Sequence, residues 1–149
     1  MRGWRAFMDY RFSPIRVSLA ALLAACGNVP PYPPLEGITR VDVRVRLAGR
    51  DTSVASITNL DSVARLVEFV NARRSGWRRP WYGIPVPTTV AELYRGSEFM
   101  GHVGAGPSFL ETQRQDDFAS RPATAEELAA FDALLGIGTK IIVVPPKER

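Results

Sequence analysis

The chain has 149 residues, 46% of them hydrophobic and 23% charged, with a formal net charge of +4 and one cysteine. That length suits one domain with a core of its own, and a lone cysteine excludes an internal disulfide framework. Arg2, Arg5, Arg11 and Arg16 against Asp9 carry most of the net charge, leaving +1 for the rest of the chain. A nucleic-acid partner would need that charge on the folded domain, so none is expected.

The N-terminus reads as an export signal: a basic stretch to Arg16, the apolar run Val17–Ala25, then small residues leading into Cys26. The run is far shorter than the roughly 20 helical residues that span a bilayer core. Leu23-Ala24-Ala25-Cys26 resembles the lipobox of bacterial lipoproteins. The resemblance implies a signal peptide over 1–25, cleavage before Cys26 and diacylglycerol on its sulfur, with palmitate-type acyl anchoring. It also implies a cell-envelope address. Gly27 stands where an Asp would retain the protein at the inner membrane, so in a diderm bacterium the resemblance points to the outer membrane, on its periplasmic or surface side. The rival reading, a core helix ending in an inert cysteine, does not account for the basic terminal flank. Met8 offers an alternative start that gives the same mature chain.

Residues 26–38 contain Pro30, Pro31, Pro33 and Pro34 and read as a polyproline II tether without a core of its own, holding the domain off the lipid surface. On this reading a chain starting near Glu36 folds by itself, and the single domain spans 39–149.

Within it, Val41, Val43, Val45 and Leu47 alternate with Arg40, Asp42, Arg44 and Arg46, a strand with one dry and one charged face. Ala48–Asp51 reads as a turn and Val54–Ile57 as a return strand. Asn59 or Asp61 caps a helix to about Arg74, with Leu60, Val63, Leu66, Val67 and Val70 as its apolar stripe and Gly76 as its stop. Arg78–Pro87 is a loop. Thr88–Tyr94 with Phe99–Val103, and Phe109–Thr112 with Phe118–Ser120, read as two hairpins. Thr124 and Glu127 form a capping box opening a helix with Leu128, Phe131, Leu134 and Leu135 inward and Gly136 at its end. Ile141–Val144 reads as a last edge strand. Short connections exclude parallel crossovers, so the expected fold is α+β, an antiparallel sheet with two helices packed on one face.

No catalytic or metal-binding constellation emerges, and no cofactor is expected. His102 is the only histidine, and the reading given to it is a surface strand residue. Gly101, Gly104 and Gly106 lack phosphate-loop spacing and fit close backbone approach. Asp116-Asp117 suits a turn, Glu126-Glu127 a helix N-terminus, and Ser108 lacks a nucleophile-elbow context.

The densest stretch runs from Arg73 to Tyr82. Arg73 and Arg74 suit the end of a helix dipole, and Trp77 suits a hydrophobic contact beside the helix stop. Arg78, Arg79, Trp81 and Tyr82 are the candidate ligand-binding residues, because guanidinium forks suit phosphates and carboxylates while aromatic faces stack apolar groups. The expected function is a non-catalytic binding or accessory module of the envelope, held to the membrane through Cys26, with an envelope protein or an anionic polymer as partner. The alternatives are a small envelope enzyme with a dispersed acid-base site and an inhibitor or immunity-type lipoprotein.

Overall fold

A computed structural model describes residues 29–47, 49–81, 83, 85–114 and 117–137. Cys26, Tyr82, Asp116 and the Ile141–Val144 strand expectation lie outside the described residues.

Six strands, β1 (Arg40–Leu47), β2 (Arg50–Ile57), β3 (Thr89–Arg95), β4 (Glu98–Ala105), β5 (Phe109–Arg114) and β6 (Asp117–Pro122), form one antiparallel sheet in the order β2-β1-β3-β4-β5-β6. Two helices, α1 (Leu60–Asn71) and α2 (Ala125–Leu134), complete an α+β fold. The alternation in β1 does what its period requires. Val41, Val43 and Val45 are buried, and the charged residues between them lie on the other face, where Arg44 pairs with Glu92 at 3.0 Å and Arg46 with Asp51 at 2.6 Å. The buried face continues through Ala91, Leu93, Val103, Leu110 and Ala119, against Val63, Leu66 and Phe69 of α1 and Phe131 of α2.

The second helix follows its sequence signals. Thr124 and Glu127 exchange both bonds of the capping box. At its end Gly136 adopts φ 70°, the Gly136 N–H donates to the Ala133 carbonyl, and the Ile137 N–H reaches back to that of Asp132, a Schellman stop. The first helix starts where one of its two candidate caps places it and departs from expectation at its C-terminal end. Asn59 caps it by accepting from the Ser62 N–H, and it stops at Asn71 with Ala72 as its C-cap, so Gly76 does not terminate it. Leu60, assigned to the apolar stripe, is 68% exposed, while Phe69 takes an inward place the stripe omitted.

The segment expected to be a free spacer needs correcting over residues 29–38. Val29, Tyr32, Leu35 and Ile38 are all buried in the main core, and Pro30, Pro31, Pro33 and Pro34 are exposed. A burial period of three is that of a polyproline II helix laid along a surface. The backbone keeps the same period. The Val29 N–H donates to the Trp77 carbonyl and the Tyr32 N–H to that of Arg74, each at 3.0 Å. The Leu35 N–H then donates to Asn71 Oδ1 at 2.8 Å, and Asn71 Nδ2 returns a bond to the Leu35 carbonyl. Proline cannot donate, so the residues before, between and after the proline pairs carry these bonds, and the strap is part of the folded body.

Candidate functional site

Two surfaces gather chemistry-bearing side chains. The first lies where the chain leaves the strap's docking site. Trp77 is 2% exposed, its ring edge-on to Tyr32 at 6.2 Å and its Nε1–H donating to the Arg73 carbonyl. Arg73 also serves the core side, with its Nε 3.0 Å from Glu127 Oε1 and its guanidinium over the Phe69 ring. From Arg78 the chain turns outward. The Arg78 backbone exchanges two 2.9 Å hydrogen bonds with Ser120, fixing the segment to the edge strand β6. Arg79 Nε contacts Asp117 Oδ1 at 2.8 Å while its side chain remains 66% exposed. Trp81 is 92% exposed. Arg78, Arg79, Pro80 and Trp81, with Phe109, Ser120 and Arg121, border a cavity of about 570 Å³.

Electrostatics hold this corner together. The Asp117 carboxyl is held below its ordinary range, chiefly by the hydrogen bond from Arg79 and further by the Tyr32 hydroxyl. Tyr32 is pushed up to about 12, first by burial and then by its hydrogen bond to Asp117 and that group's negative charge. Burial also lowers Arg114, whose guanidinium stands 4.9 Å from the Tyr32 ring centre.

The second surface is on the face of the sheet opposite the helices. His102 Nε2 stands 2.9 Å from Glu111 Oε1. The contact lacks hydrogen-bond alignment, and neither Glu111 oxygen accepts a hydrogen bond from the described residues although the side chain is 1% exposed. A carboxylate so buried is costly without a partner, and the imidazole is the partner it has. Gly104 opposes Glu111 across β4 and β5, and a Cβ there would collide with Glu111 Oε1 and Pro87, so the glycine makes the space the carboxylate fills. Arg44, Arg46, Glu92, Val90 and Phe118 join the pair around a cavity of about 300 Å³.

Glu111 is the residue that sequence reasoning passed over. Its one signal is a charge at an outward position of β5 opposite a glycine, legible only once the strand register is known. His102, read as a surface residue, is instead partly buried, its side chain 20% exposed, because it meets that carboxylate. Of the binding candidates, Arg78, Arg79 and Trp81 share one outward surface. Among the described residues there is no group of three or more His, Cys, Asp or Glu placed to hold a metal ion, and no helix long and apolar enough to cross a membrane. Comparison of the chain with family models, curated proteins and solved structures gives no match.

Proposed function

We infer that the protein is a lipid-anchored component of the bacterial cell envelope whose domain works by binding rather than catalysis, through the surface of Arg78, Arg79 and Trp81. The observation that carries this is the 92% exposure of Trp81 beside two exposed arginines at the rim of a cavity. A large aromatic presented to solvent next to guanidinium forks suits a partner with both anionic and apolar groups. The address rests on the Leu23-Ala24-Ala25-Cys26 resemblance. The test joins both parts. Cys26→Ser should release the protein from the membrane fraction, since the acyl chains supply its affinity. A photo-crosslinking residue at position 81 in the anchored protein should capture an envelope component, and the same residue at exposed Ser97, on the far hairpin, should not. A Cys26→Ser protein that stays in the membrane fraction removes the anchor, and equal capture at both positions removes the surface.

One observation favours a second reading, a small envelope enzyme: the His102–Glu111 contact beside a cavity is an acid-base arrangement. No serine, threonine or cysteine lines that cavity among the described residues, so the base would have to activate water. Hydrolysis of ester or phosphodiester probes that disappears in both His102→Gln and Glu111→Gln, with folding intact, would support it. Turnover unchanged by both variants would exclude it.

A further inference from the structure

The docked strap limits how far the anchor can lie from the domain. Val29 is hydrogen-bonded to Trp77, and only three residue steps separate Val29 from Cys26. At no more than about 3.6 Å per residue, the Cα of Cys26 lies within about 11 Å of Val29. Four further residues carry the chain from Trp77 to Trp81, and Arg78 and Arg79 lie on that path. The Cys26 anchor and the exposed arginine-tryptophan surface are therefore each only a few residues along the chain from the hydrogen-bonded Val29–Trp77 pair. A free spacer of thirteen residues would allow a far longer reach than a strap docked from Val29 to Ile38.

We propose that Arg78, Arg79 and Trp81 form a membrane-contact surface, seated in the headgroup layer of the leaflet that holds the Cys26 acyl chains. The inference rests on lipidation of Cys26 and names the partner of the surface described above. The chemistry matches the layer. Tryptophan settles at membrane–water interfaces, where its apolar ring and N–H are both accommodated. Arginine forks bind phosphate oxygens bidentately, and basic residues next to an anionic leaflet are drawn to it. The Arg79 pairing with Asp117 leaves its side chain two-thirds exposed, while Arg78 has its backbone pinned to Ser120 and is itself exposed. The domain would then lie against the bilayer in one orientation, with the opposite end of the sheet presented outward.

The lipidated protein, purified from membranes and reconstituted into phosphatidylcholine vesicles containing phosphatidylglycerol, provides the test. Of the three tryptophans, Trp4 precedes the cleavage site and Trp77 is 2% exposed, so lipid-dependent quenching reports on Trp81. Brominated acyl chains should quench a component of the emission that Trp81→Phe removes. Arg78→Gln with Arg79→Gln should cut the quenched fraction by roughly twofold or more, as should raising salt from 0.1 to 1 M, which shortens screening from about 10 to about 3 Å. Protein that co-floats with the vesicles while Trp81 stays unquenched overturns this inference and leaves the anchor standing. Protein that fails to float overturns the anchor, and the inference with it.

Discussion

Trp77 and Trp81, four positions apart, show how far one chain segment can divide its labour. The first packs on Tyr32 and is 2% exposed; the second is 92% exposed. Trp77→Ala should therefore cost about 3–5 kcal/mol, as aromatic truncations in a core do. Trp81→Ala should stay within about 0.5 kcal/mol, the range of ordinary surface changes. Denaturant unfolding of the two variants checks both, and a Trp81→Ala loss of several kcal/mol would assign that ring to packing. Composition pointed to this stretch but could not order its residues, since alternating core and surface roles follow from where the chain turns at Arg78. Glu111 illustrates the opposite case. Nothing in Phe109-Leu110-Glu111-Thr112 announces a carboxylate at 1% exposure, because its burial comes from Gly104 and Pro87 on other segments.

Among the elements, the strap is joined to the sheet by a titratable contact. The Tyr32 hydroxyl donates to Asp117 Oδ2 at 3.1 Å, tying the strap to β6. Because the folded-state pKa is raised from 10.0 to about 12, the contribution is complete below pH 10 and is lost as pH rises through the folded value. Stability should decline between pH 10 and 12 by on the order of 2 kcal/mol. Tyr94 is shifted in the same direction by burial and its bond to Glu92, so part of the decline belongs to it. Chemical unfolding followed against pH separates the two, since Tyr32→Phe should flatten the strap's share and leave that of Tyr94. The second helix and the β3–β4 hairpin follow local rules. The Thr124–Glu127 box and the Gly136 stop bound the second helix, and a two-residue Gly96-Ser97 loop closes β3 onto β4. Helix α1 ended early because the chain from Asn71 to Trp77 is occupied in binding the strap, through the Asn71 side chain and the Arg74 and Trp77 carbonyls.

For the molecule as a whole, the strap changes what counts as the domain. A chain trimmed to start at Glu36 loses Val29, Tyr32 and Leu35 from the core. Removing three buried side chains should lower stability by on the order of 3–5 kcal/mol, after offsetting the entropy of ordering the strap. Paired urea titrations of chains starting at Gly27 and at Glu36 measure this, and equal midpoints would show that the strap adds nothing to the fold. The sequence by itself determined the α+β class, the antiparallel hairpins and the caps of α2, because period-two alternation, turn residues and capping boxes act over a few neighbouring positions. It also supplied the lipobox resemblance, a linear motif. Only the tertiary structure decided three things: the pairing of β1 with β3 across an intervening helix, the meeting of His102 with Glu111, and the docking of the proline segment. Two of these join residues far apart along the chain, and His102 meets Glu111 only through the register of β4 against β5. A polyproline II segment makes no hydrogen bonds within itself, so its sequence reads the same whether it floats in water or lies on a core, and the surface formed by Trp77, Arg74 and Asn71 makes that choice.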